Sequence, residues 1–222
     1  MRFFQIDGPL YRFLETITNL IILNLLFLVC CIPVVTIGPA LTANYYVALK
    51  IVRKEETSIV KNFFHSFRMN FKQSLILGIG VLLLAAVLIV DLQALTYLTT
   101  IPRDAAKVLL YVIGFLGLVL AMISIYLFSL LAQFENTLPA LIRWSMALVI
   151  QHLPATLICL AILAVPVLVF FYLPNFFLRT VLPVLLLLGF SGIAYLQACF
   201  LVRVFDHYIP KDPDDSDEDD SL

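Results

Sequence analysis

The chain has 222 residues, 62% of them hydrophobic and 13% charged, with a mean hydropathy of +1.03. That balance excludes an ordinary soluble domain, in which about a quarter of the residues are charged. The formal net charge of −1 hides two parts: seven of the fifteen acids fall in the last eleven residues, DPDDSDEDDSL, and the remaining body is basic, with 14 Lys and Arg against 8 acids.

The N-terminal stretch MRFFQIDGPLYRFLETITN lacks a cleavable-signal pattern, because Asp7 and Glu15 interrupt it and no small-residue cleavage site follows. From Thr16 to Leu49 no side chain is charged, a run of 34 residues. A straight helix of that length would measure about 51 Å. The hydrocarbon core is about 30 Å thick, so this is too long for one crossing and too short for two with a turn. The sequence IPVVTIGPALTANYY (32–46) punctures the run. Ile32 precedes Pro33 and Gly38 precedes Pro39, and a residue before proline is biased towards extended backbone. The chain is therefore expected to leave the first span near Pro33 and turn through VVTIG. It should restart with Pro39 in the first turn of a helix over about 39–54. Non-helical backbone at membrane depth needs cover from protein or water. Pro33, Thr36, Gly38, Pro39 and Asn44 thus form either a packed structural break or a broken helix facing a substrate.

Further charge-poor runs follow. The expected fold is an all-α polytopic membrane helix bundle, with spans at about 16–36, 73–97, 108–134, 153–173 and 179–203. Residues 1–210 form one membrane domain, and 211–222 read as a disordered acidic tail. Cys30, Cys31, Cys159 and Cys199 lie inside apolar runs and read as small hydrophobes. Lys and Arg number nine on the side of the first-to-second connection and five on the other, which puts the N-terminus outside and the C-terminus in the cytoplasm. A competing topology takes Leu41–Val52 as a short sixth crossing and puts the N-terminus inside.

Between the first two spans, TSIVKNFFHSFRMNFK (57–72) has helical periodicity. Val60, Phe63, Phe64, Phe67 and Phe71 share one face, and Lys61, His65, Arg68 and Lys72 the other. Thr57 or Ser58 can cap it, with Glu55 and Glu56 near the positive end of its dipole. Such a helix reads as an interfacial elbow or as a docking surface for a cytoplasmic partner. A second elbow begins at Thr137-Leu-Pro-Ala and continues through Leu141, Trp144, Leu148 and Gln151. LLAQFEN (130–136) and LVRVFDH (201–207) close the third and fifth spans alike, which puts Glu135 and Asp206 in matching positions. Two elbow-plus-hairpin units running in parallel are inferred.

Nothing in the pattern asks for an enzyme, a cofactor or a metal. HExxH, paired CxxC, a Gly-rich phosphate loop and GxSxG do not occur. Gly189-Phe190-Ser191-Gly192 resembles the GxSG motif of rhomboid intramembrane proteases. However, Ser191 sits about 18 Å along its helix, and His65, His152 and His207 all belong to the cytoplasmic side. Small residues there suit close helix packing instead. Polar residues within spans are few: Asn19, Asn24, Asp91, Gln93 and Gln197. No nucleic-acid partner is expected.

The stretch LNLLFLVCCIPVVTIGPALTANYY (23–46), with GPLYRFLETITNL before it and NFFHSFRMNFKQS (62–74) after it, resembles the YesL-like family of bacterial membrane proteins. The core of the resemblance is Pro33, Thr36, Gly38, Pro39 and Ala40; Phe27 stands where the family often has Trp. It implies a bacterial cell-membrane protein of unassigned activity, linked to carbohydrate uptake. A fainter resemblance is to type I ABC importer permeases, whose cytoplasmic loop has the form EAA-x3-G-x9-I-x-LP. Glu135, Leu153 and Pro154 match that spacing, whereas Asn136, Thr137, Leu141 and Gln151 replace the alanines, glycine and isoleucine. Together these imply a permease-like or accessory subunit, with the bilayer and ABC transporter subunits as partners and oligomerisation left open. Glu135, Leu153, Pro154, Lys61, Arg68 and Lys72 are the candidate docking residues. The alternative is a membrane scaffold or sensor that moves nothing. A transport subunit should have a polar-lined cavity between its two hairpins; a scaffold should have a dry, leucine-packed interior.

Overall fold

The computed structural model describes residues 9–55, 58–97, 103–134 and 137–206. Glu56, Thr57, Glu135, Asn136, His207 and the acidic tail lie outside these residues. Among the described residues all regular structure is helical. The helices are α1 (Pro9–Cys30), α2 (Ile37–Val52), α3 (Ile59–Met69), α4 (Phe71–Tyr97), α5 (Arg103–Gln133), α6 (Leu138–Gln151), α7 (Leu153–Tyr172) and α8 (Pro174–Phe205). Five of them, α1, α4, α5, α7 and α8, are long and apolar enough to cross a membrane. Only Leu173 separates α7 from α8, and Pro174 opens the new helix where its missing N–H costs nothing.

The break after α1 falls at Pro33, as expected, but the helix itself ends short of the expected span boundary. α1 stops at Cys30, six residues before the expected end, because Ile32 cannot stay helical ahead of Pro33 without a clash. Pro33 is extended, at φ −76° and ψ 117°, and Val34–Thr36 form one 3₁₀ turn. The Thr36 hydroxyl donates to the carbonyls of Cys30 (2.6 Å) and Pro33 (2.7 Å), so it satisfies an acceptor that the end of α1 leaves open. α2 then starts at Ile37, which makes Gly38 helical and not extended as expected. The clash before a proline involves the preceding Cβ, which glycine lacks. Pro39 falls in the first turn, as expected, where its nitrogen has no helical acceptor to lose.

α1 and α2 form an antiparallel hairpin about this turn. Leu20 and Leu23 cluster with Ala43 and Val47, and Asn24 and Asn44 both reach Ser191; these positions are equidistant from the turn. α2 is the centre of the molecule: it packs on α1, α3, α4, α5 and α8 and has ten buried residues among its sixteen. Its approach to α4 is close at two glycines. A Cβ built on Gly38 would overlap the Ser74 carbonyl oxygen and come within 2.9 Å of the Gly78 Cα, and one on Gly78 would come within 2.8 Å of the Gly38 Cα. Two bare glycine backbones therefore face each other, as small residues allow in membrane helix packing.

The elbow at α3 is built differently from the expectation. Phe63 is fully buried and Ile59 and Ser66 are buried with it, so these pack against α1 and α2. Phe67 is half-buried, whereas Val60 (47% exposed) and Phe64 (38%) point outward among Lys61, His65 and Arg68. The aromatic face is split because protein, not lipid, takes its inner half. In α6, Leu141, Ser145 and Leu148 are buried, while Ile142, Trp144, Met146 and Ile150 are exposed beside Arg143, as on a helix at the headgroup level.

The two inferred units are α3–α4–α5 and α6–α7–α8. Their matching phenylalanines meet: Phe134 and Phe205 pack edge to face at 5.9 Å. Such self-contact of equivalent positions is what an axis between parallel repeats would produce. Asp206 pairs with Arg53 at 2.9 Å, so the C-terminal ends of α2, α5 and α8 lie together at one end of the bundle.

Candidate functional site

The interior carries a few polar groups, and the helix packing brings them together. The first group is built on Asn24. Its Nδ2 donates to the carbonyls of Leu185 (3.2 Å) and Leu186 (2.7 Å), and its Oδ1 accepts from the Ser191 backbone N–H at 3.0 Å. The cause lies in α8, where Leu185–Gly189 winds as a π-helix and shifts the local hydrogen-bond register. The side chain from α1 therefore completes a segment whose backbone pairing is altered. Ser191 in turn donates its hydroxyl to Asn44 Oδ1 at 2.8 Å. The serine of the GFSG stretch is thus a fully buried structural link between α1, α2 and α8, held by two asparagines.

The second group joins α2, α7 and α8. Tyr45 donates to Gln197 Oε1 at 2.5 Å, and Gln197 Nε2 donates to the Cys159 carbonyl at 3.0 Å. Tyr126 and Thr156 share a further hydrogen bond of 3.0 Å between α5 and α7. Each bond crosses between helices that carry no charge at this depth, where an unpaired polar group would be costly.

Two cavities flank Tyr45 and Gln197. The larger, about 370 Å³, lies between α1, α2, α7 and α8; Phe27, Leu163, Pro166, Phe170, Leu185 and Phe190 form its walls, and Asn44, Tyr45 and Gln197 its polar end. The smaller, about 210 Å³, lies between α2, α4, α5 and α7 and is bounded by Gly38, Leu41, Gly78 and Phe128. Apolar side chains make up most of both surfaces.

The expected motif does not form one site. Pro33 is exposed and Thr36 half-buried at the hairpin turn, Pro39 is packed, and Gly38 and Asn44 line different cavities, Gly38 the smaller and Asn44 the larger. The candidate docking residues also separate. Lys61, Arg68 and Lys72 are exposed along α3 and the start of α4, whereas Leu153 and Pro154 are exposed at the α6–α7 junction. Tyr45 and Gly78 were not singled out from the sequence. A tyrosine after Asn44 and a glycine within an apolar helix carry no signal of their own.

The fold and interior define a polytopic helical membrane protein. Residues 20–92 match the family model described as "Protein of unknown function, DUF624". The matched segment runs from α1 into α4 and includes the Pro33–Ala40 turn and the Gly38–Gly78 contact. No curated protein matches the chain, and no solved structure does.

Proposed function

We propose that this chain is a membrane-embedded accessory protein whose work is done through contacts with the bilayer and with partner subunits, and that it does not itself conduct sugar. The observation that carries this reading is the apolar lining of both cavities. A sugar site needs several convergent, unused donors and acceptors. Here Asn24, Ser191, Tyr45 and Gln197 hold one another or nearby backbone. The tie to carbohydrate uptake, and to ABC transporter subunits as partners, comes from the resemblance of residues 23–74. The permease-like alternative keeps one supporting observation: Leu153 and Pro154 are exposed at the junction where a docking loop would present them.

The reading is tested in two parts. Purified protein in vesicles should pass no labelled sugar above empty vesicles; flux through the protein alone would sink it. From native membranes in mild detergent, subunits of an ABC importer should co-purify in near-stoichiometric amount, and Lys61→Gln, Arg68→Gln and Lys72→Gln together should reduce that recovery several-fold. Recovery of the protein alone would favour a free-standing scaffold or sensor.

The antiparallel hairpin supports the competing topology, in which α2 makes a short sixth crossing and both ends lie on one face, in place of the external N-terminus expected from the five spans. With α2 returning beside α1, Arg12 joins the end where Lys50, Arg53, Lys54, Lys61, Arg68, Lys72, Arg143 and Arg203 lie, against Arg103, Lys107 and Arg179 at the other. That bias favours a cytoplasmic location for the first end. Reporter fusions to the N-terminus and to the C-terminus should both report a cytoplasmic location. An external N-terminus with an internal C-terminus would restore the five-crossing topology.

A further inference from the structure

We infer that the larger cavity is a binding site for a single-chain neutral lipid, with its chain along the apolar walls and an ester carbonyl against Asn44. The inference is independent of the accessory-subunit reading. Its volume, about 370 Å³, lies at the low end of the roughly 300–1,000 Å³ of ligand pockets, which suits one chain and not two. No charged side chain lines it, and an ionised headgroup would be stranded there without a partner.

Asn44 supplies the specificity. It is 1% exposed, its Oδ1 is occupied by Ser191, and its Nδ2 has no partner among the described residues. No sealed side-chain nitrogen or oxygen among them is left unpaired, so this Nδ2 keeps a small accessible surface, and the residue lines the cavity. An amide donor held at that depth is satisfied by an acceptor on a bound molecule. Tyr45 and Gln197 beside it are already engaged with each other, which leaves Asn44 as the recognising group. Val167, 51% exposed, lies on the rim of the same cavity and marks the side open to the bilayer.

The test uses the full chain in detergent and a monoacylglycerol probe bearing a mid-chain diazirine. Crosslinks should concentrate on cavity-lining positions of α7 and α8, and excess monoolein should compete them away. Val167→Trp, at an exposed rim position, should cut labelling at least fivefold without lowering the thermal midpoint. Asn44→Leu should weaken monoolein competition about five- to tenfold, as expected for one hydrogen bond. Crosslinks spread evenly over the exposed faces of α4 and α5, or Val167→Trp labelled like the unaltered protein, would overturn the site. A prenyl alcohol that competes better than monoolein would overturn the acyl assignment.

Discussion

Gly38→Ala should destabilise the protein by about 2–3 kcal/mol or more, at the upper end of what overpacking costs. The reason is the nature of the obstacle. The new methyl meets the Ser74 carbonyl and the Gly78 Cα, both backbone, so no rotamer change can relieve it. α2 and α4 must separate, and α2 is the helix on which α1, α3, α5 and α8 also pack. The reciprocal Gly78→Ala meets the Gly38 Cα and N and should cost a similar amount. The control is internal to α4: a Cβ on Gly80 has nothing within 4 Å. Gly80→Ala should be neutral or stabilising by up to about 1 kcal/mol, from helix propensity alone. Thermal unfolding in detergent of the three variants measures this, and equal midpoints for Gly38→Ala and Gly80→Ala would refute the close contact.

Asn24→Leu should cost about 2–5 kcal/mol, since it leaves the Leu185 and Leu186 carbonyls and the Ser191 N–H without their partner. Each buried group left unsatisfied costs about 1–3 kcal/mol, reduced within a membrane because the unfolded state also finds partners. Ser191→Ala removes only the hydroxyl bond to Asn44 and keeps the backbone bond to Asn24, so its loss should be nearer 1 kcal/mol. Asn24→Asp keeps the acceptor, forfeits both donors and faces two carbonyl oxygens with a carboxylate; it should be no better than leucine. A ranking in which Ser191→Ala is the most damaging would show that the serine, and not the asparagine, organises the π-helical segment.

These two contacts also divide what sequence reading could reach from what it could not. The break at Pro33 was visible because proline acts on its own neighbours. Asn24 and Gln197 stood out as polar residues in apolar runs. Their partners did not, because Ser191 is 167 residues from Asn24 and Gln197 is 152 from Tyr45. Gly38 was read as a backbone device for the turn. Its packing role depends on Gly78, forty residues on and in another helix, and no local pattern connects the two.

By itself the sequence determined the class, the five apolar helices, the early break after the first of them and the amphipathic character of α3. Each follows from composition or from forces acting within one helix length: hydrophobic transfer, proline sterics and a 3.6-residue period. Only the tertiary structure decided that α2 turns back through the centre of the bundle, that Phe63 faces protein while Phe64 faces outward, and that Asn44 is left with an unused amide beside a cavity. A bilayer and a neighbouring helix are both apolar, so hydrophobicity cannot tell a residue which of them it will face. Shape complementarity and hydrogen-bond pairing between distant segments make that choice, and they exist only once the helices have assembled.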